Sequence, residues 1–168
     1  MEEVFRYLLE TECNFLFTDN FSFNTYVQLT RNYPKEEEIV SDLIQKAENA
    51  DVRTVLSNHD FSRTPEKGEI LWRLRKMEQL GADIAKIAVM PRRPEDVAVL
   101  LGVTSEAVEM MSCPVITMSM GGQGVISRMA GQIFGSAVTF GTVGQASAPG
   151  QIPFDRLKEI LTLIDSVQ

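Results

Sequence analysis

Ile84-Ala85-Lys86-Ile87-Ala88-Val89-Met90, closed by Pro91, is apolar on both alternating faces apart from one lysine. A short β-branched run of this kind reads as a strand covered on both sides, the habit of parallel sheets. Upstream, Pro65 opens a helix in which Ile70, Leu71, Leu74, Met77 and Leu80 recur at helical spacing, and Gly81 stops it. Before that helix lies another β-branched run, 52–57, ending in Asn58-His59-Asp60. A helix starting at Pro34, with acids in its first turn and the stripe Ile39, Val40, Leu43, Ile44 and Ala47, precedes it. Downstream, the pattern predicts a helix over 94–111, a strand over 115–120, a short helix over 127–134, a strand over 137–140 and a last helix over 154–164.

Strand followed by helix, four times over, means an α/β fold with a parallel sheet. Two architectures fit: an open doubly wound sheet, or part of a (β/α)8 barrel. The glycine fingerprint of dinucleotide-binding folds is absent from the first strand–helix turn, where Ser57-Asn58-His59-Asp60 stands. A whole barrel takes ~250 residues, and this chain has 168. Four good units and a doubtful fifth at the front can be counted.

The first 35 residues read differently. Residues 1–50 hold ten acids against four bases, and five of the nine phenylalanines fall within the first 23 positions. A helix over 2–12 and a strand over 26–29 are expected there, in a segment whose composition fits an altered gene start. The domain boundary is therefore set between an atypical 1–35 and a barrel-like 36–168.

Composition narrows the function classes. At 44% hydrophobic and 23% charged residues the chain is globular rather than disordered. A net charge of -7 argues against a general phosphate-backbone binder, which needs a basic face. No apolar run approaches the ~20 residues of a membrane span, and no secretory leader pattern is seen. Cys13 and Cys113 suggest two reduced thiols in a cytoplasmic protein. One histidine and two distant cysteines offer no zinc spacing.

In either architecture, chemistry belongs at the carboxyl ends of the strands. Lys86 shares a strand face with Ile84, Ala88 and Met90. It is either desolvated, which favours the neutral amine that forms Schiff bases, or an edge-strand lysine reaching for solvent. His59, the only histidine, sits just past a strand end, 27 residues before Lys86, so their strands should be neighbours. It suits proton transfer, though a lone loop histidine is often plain surface. Arg128, at a helix start behind Gly121-Gly122-Gln123-Gly124, offers a guanidinium fork for a carboxylate, or else pairs with a surface acid. Ser147 and Gln151 flank Ala148-Pro149-Gly150 and can give neutral hydrogen bonds or be ordinary loop residues. Met118 and Met120 are pocket lining or core.

From about residue 37 to the end, the chain resembles type I 3-dehydroquinate dehydratase, the Schiff-base enzyme of the shikimate pathway. The resemblance rests on Ser57-Asn58-His59-Asp60-Phe61 with Thr64-Pro65, on Lys86-Ile87-Ala88 with Met90-Pro91, and on Thr117-Met118-Ser119-Met120 running through Gly124 to Ile126-Ser127-Arg128. Phe134-Gly135-Ser136 and Ser147-Ala148-Pro149-Gly150-Gln151 complete it. It implies a partial (β/α)8 barrel of four to five units and a lyase converting 3-dehydroquinate to 3-dehydroshikimate. Lys86 would be the Schiff-base lysine, His59 the general acid and base, and Arg128 the carboxylate binder, with Ser147 and Gln151 assisting. No metal or organic cofactor is implied. The partner is a small-molecule substrate, with no nucleic acid or membrane, and family members are commonly homodimers.

The family's earlier strands carry a Glu–Arg pair, a second Arg with a Glu-Gly-Gly segment, and an acidic pair; none occurs here, and Gln28 would stand at an acidic position. The alternative is therefore a truncated, catalytically impaired homologue that binds a ligand or a partner, or a half-barrel completed by another chain. A class I aldolase, which also uses a strand lysine, is the reading from a different class.

Overall fold

The computed structural model describes residues 15–18, 35–146 and 148–167. In chain order the elements are β1 (Phe15–Thr18), α1 (Lys35–Asn49), β2 (Arg53–Asp60), α2 (Lys67–Gln79), β3 (Ile84–Val89), α3 (Pro94–Met110) and β4 (Val115–Ser119). There follow α4 (Val125–Met129), a 3-10 turn (Gly131–Phe134), β5 (Gly141–Thr142), β6 (Ile152–Pro153) and α5 (Phe154–Asp165). Strands β1 to β4 form one sheet in sequence order, each pair parallel, and β5 pairs with β6 in a second, two-stranded parallel sheet. This is the α/β alternation that the hydrophobic pattern predicts.

The helices sit where their apolar stripes dictate. In α2, Ile70, Leu74 and Met77 are fully buried against the face of the sheet formed by Leu56, Ala85, Ile87, Val89 and Val115. Each such side chain contributes about 1.5–3 kcal/mol by leaving water. Leu100, Val103 and Ala107 of α3 complete that layer. α3 opens on Pro94 with Glu95 and Asp96 in its first turn, which suits the free N–H groups there. At the other end of α2, Gly81 takes φ +90°, a left-handed conformation that a side chain resists.

Strand register carries the function. Ser57 lies opposite Lys86 and His59 opposite Ala88 across β2 and β3. Lys86 lies opposite Ile116 and Ala88 opposite Met118 across β3 and β4. Alternation then puts Ser57, His59, Lys86, Ala88, Ile116 and Met118 on the face away from α2 and α3. There Ala88, Ile116, Met118 and Met120 form a second, smaller apolar cluster with Ile84, Met90 and Phe140.

Several expectations are revised. The strand beside β2 is Phe15–Thr18; four residues are too few to show a period in sequence. The expected helix over 2–12 and strand over 26–29, with Gln28, lie outside the described residues. β2 runs on through Asp60, which pairs with Val89, so His59 is inside the strand and not past its end. The helix expected over 127–134 is two short ones, meeting at Ala130. Residues 137–140 are not a strand. Ala137 N–H still donates to Val115 O, but Thr117 N–H donates to Ser136 Oγ, a side chain standing where a carbonyl would continue the ladder. No helix among the described residues is long and apolar enough to cross a membrane.

Candidate active site

Lys86 is only 7% exposed although it is a lysine. Its strand is interior to the sheet, between β2 and β4, so the edge-strand reading does not hold. Its Nζ lies 5.2 Å from the centre of the Phe140 ring, within cation–π range. His59 comes from the neighbouring strand, on the same face. Its Nε2 is 3.0 Å from Ser57 Oγ, and its ring meets Phe61 edge to face, centroids 5.8 Å apart.

Arg128 arrives by a tight connection. A Cβ on Gly124 would fall 2.2 Å from Ser119 O, so only glycine lets the start of α4 fold back on β4. Ser127 then pins the turn, accepting from Ser119 N–H at 2.8 Å and donating to Gly124 O at 2.7 Å. Arg128 is 1% exposed. Nη2 donates to Pro149 O at 3.3 Å and Nη1 approaches Met118 Sδ at 3.7 Å, while buried Nε makes no hydrogen bond among the described residues. Burial pushes its pKa down from the ordinary guanidinium value, though an arginine stays cationic at neutral pH. No carboxylate pairs with it among the described residues, so the reading of Arg128 as a surface ion pair is not realised.

The loop before β6 is laid over these groups. Gly121 N–H donates to Pro149 O at 3.1 Å. Gly150 has φ +76°, and a Cβ there would sit 2.3 Å from Gly121 O. Gln151 Oε1 accepts from Ala148 N–H at 3.4 Å. Ser147 lies outside the described residues.

Lys86, His59, Arg128 and Gln151 line one cavity of about 430 Å³, walled by Phe61, Ala88, Met118, Met120, Phe140, Ala148 and Pro149. It joins a buried amine, an imidazole and a buried cation within apolar walls, a setting for carbonyl chemistry on an anionic ligand. A second cavity, about 520 Å³, lies at the amino-terminal end of the sheet beside Glu48, Asp51, Arg53 and Asp83. There Arg53 and Asp83 neutralise each other at 2.8 Å. Cys113, a free thiol before β4, is also at that end, and burial together with nearby Glu78 pushes its pKa up, away from the reactive thiolate. Among the described residues no group of three His, Cys, Asp or Glu could hold a metal ion.

Ser57, Phe61 and Phe140 are site residues that sequence reasoning missed. Ser57 was legible, because alternation puts it on the face of His59. Phe140 was not, because residues 137–140 are irregular and no period assigns them a side.

A family model described as type I 3-dehydroquinase matches residues 27–168. The 3-dehydroquinate dehydratase of Listeria welshimeri is 54% identical over 129 residues, covering 77% of this chain and 51% of that protein. That of Clostridium novyi is 52% identical over 133 residues, covering 79% and 53%. Among solved structures, 3-dehydroquinate dehydratase from Geobacillus kaustophilus superposes with a TM-score of 0.80 at 40% identity, covering 99% of this chain and 61% of that one. Type I 3-dehydroquinate dehydratase from Clostridium difficile, solved with covalently modified comenic acid, gives 0.83 at 40% identity, covering 97% and 60%. The chain spans about half the length of the curated relatives it matches.

Proposed function

The chain belongs to the type I 3-dehydroquinase family, and from that membership we propose that it serves as a hydro-lyase turning 3-dehydroquinate into 3-dehydroshikimate through an imine on Lys86. The observation that carries the reading is the meeting of Lys86, His59 and Arg128 in one apolar-walled cavity. The Lys86 amine adds to the ring ketone and water leaves, forming a protonated imine that acidifies the neighbouring C–H. His59 takes that proton, and the electron pair forms an enamine. The enamine expels the ring hydroxyl, which leaves as water with the proton from His59. Hydrolysis of the imine then releases the enone and restores the amine. Arg128 takes the substrate carboxylate, where a charge-assisted fork supplies donors that now face one carbonyl and a methionine sulfur. Gln151 donates or accepts from the loop above, and Ser147 is assigned the same kind of neutral hydrogen bond.

The architecture we assign is a partial (β/α)8 barrel of four to five units over 36–168, to which the segment 1–35 adds strand β1. Ser57–Lys86 and Lys86–Ile116 would then be neighbouring interior-facing positions beneath the carboxyl ends of the strands, where barrel chemistry sits. A cytoplasmic site of action and a homodimer complete the reading, on the model of the family.

Borohydride reduction with saturating 3-dehydroquinate, followed by peptide mapping, tests it. The expected result is a covalent adduct on the peptide containing Lys86. Folded protein with an unmodified Lys86 peptide would remove the Schiff-base function.

A further inference from the structure

Behind His59, on the helix-covered face of the sheet, lies a group of charges that the reaction above does not use. Asp60 is 4% exposed and Arg73 is 1% exposed. Asp60 Oδ1 accepts from Ser62 N–H at 3.1 Å, Ser62 Oγ at 2.8 Å and Arg63 N–H at 3.1 Å. Its Oδ2 makes no hydrogen bond among the described residues and lies 3.7 Å from Arg73 Nη1. That same Nη1 donates to Asn58 Oδ1 at 2.8 Å, and Nη2 donates to Glu69, which also accepts from Arg63 Nη2 at 3.0 Å. Asn58 and Asp60 are the two residues that bracket His59 in the chain.

The turn held in this way is tied to the next strand. Met90 N–H donates to Arg63 O at 3.2 Å, and Thr64 Oγ1 donates to Met90 O at 3.3 Å. Met90 directly follows β3, four residues beyond Lys86. The turn also carries Phe61, whose ring meets His59.

We propose that Asp60 and Arg73 are a positioning pair: acting through the 61–64 turn, they aim His59 and Phe61 into the cavity and set the end of β2 against the end of β3. Surface ion pairs contribute little, but a buried pair whose members are each hydrogen-bonded to their surroundings can specify one geometry. Neither residue reaches the cavity, so both act through His59.

His59 is the only histidine, so its ring protons give unambiguous NMR signals in the full chain. Asp60→Ala removes the acceptor of all three turn donors, whereas Asp60→Asn keeps an oxygen in that place. The expected result is displaced or broadened His59 ring resonances and a lost His59–Phe61 contact in Asp60→Ala, with near-native signals in Asp60→Asn. Arg73→Lys keeps the charge without the fork and should displace the same signals; it decides the matter if Asp60→Ala does not fold. Native His59 signals in folded Asp60→Ala or Arg73→Lys would overturn the pairing. The kinetic consequence rests on the dehydratase reading: kcat down at least tenfold in Arg73→Lys with KM within about threefold. If the unaltered chain forms no adduct at Lys86, that reading fails while the NMR result still decides the positioning.

Discussion

Two arginines, each 1% exposed, stand on opposite faces of the same sheet. On the helix-covered face, Arg73 donates to Asn58 and Glu69 and lies against Asp60. On the cavity face, Arg128 meets a methionine sulfur and one carbonyl. A buried cation is costly unless it is paired and hydrogen-bonded. The first arginine therefore belongs to the folded structure, and the second, on the proposed function, holds binding capacity for an anion. Charge met by carboxylates builds the fold, and charge met by none is, on the proposed function, left for a ligand.

The contrast can be broken most directly at the amine on the cavity face. Lys86→Ala should remove the borohydride adduct and lower turnover by about a thousandfold or more, as expected for losing a covalent nucleophile; its thermal unfolding should stay near that of the parent. Arg73→Met should cost about 3–5 kcal/mol in chemical denaturation, because Asp60 and Glu69 lose their buried partner. Arg128→Met should behave oppositely, with stability within about 1 kcal/mol of the parent and KM raised about 10–100-fold through loss of a carboxylate fork. Equal stability losses in the two arginine variants would erase the distinction between the faces.

A smaller effect should appear in acid. Burial pushes the Asp60 carboxyl up, but the donors of Ser62 and Arg63 and the Arg73 charge together pull it below the ordinary carboxylate value. At Asp83 burial again pushes the pKa up, and the donors of Thr54 and Arg53 outweigh it, so that carboxyl is also held low. A native pKa below the unfolded one stabilises wherever the group is ionised in both states. These contributions are complete above about pH 5 and are lost as the pH falls through the unfolded value of ~3.9 toward the lower native one. Denaturation midpoints between pH 3 and 6 should fall less steeply for Asp60→Asn than for the parent.

Much of this was legible in the chain. The period of two around Lys86 assigned Ile84, Ala88 and Met90 to one face, and those residues do pack in one cluster. The 3.6-residue stripe in α2 picked out Ile70, Leu74 and Met77. Arg73 lies on that same stripe, and nothing in the spacing told it from a solvated arginine; its burial depends on Asn58, Asp60 and Glu69 being there to receive it. Residues 137–140 read as a strand because they are apolar, yet Ser136 takes a ladder position and the pairing stops.

Local patterning alone settled strands β2 to β4, helices α1 to α3 and which of their side chains share a face, because these follow from backbone periods of 2 and 3.6. That the strands of His59 and Lys86 are neighbours was legible from their spacing, but the register between them and the approach of Arg128 were decided only in three dimensions. Parallel register puts Ser57 beside Lys86, and a glycine that lets α4 fold back onto β4 brings in a third residue from 42 positions further along the chain. Such long-range pairings depend on the packing of whole elements, which no short window of sequence encodes.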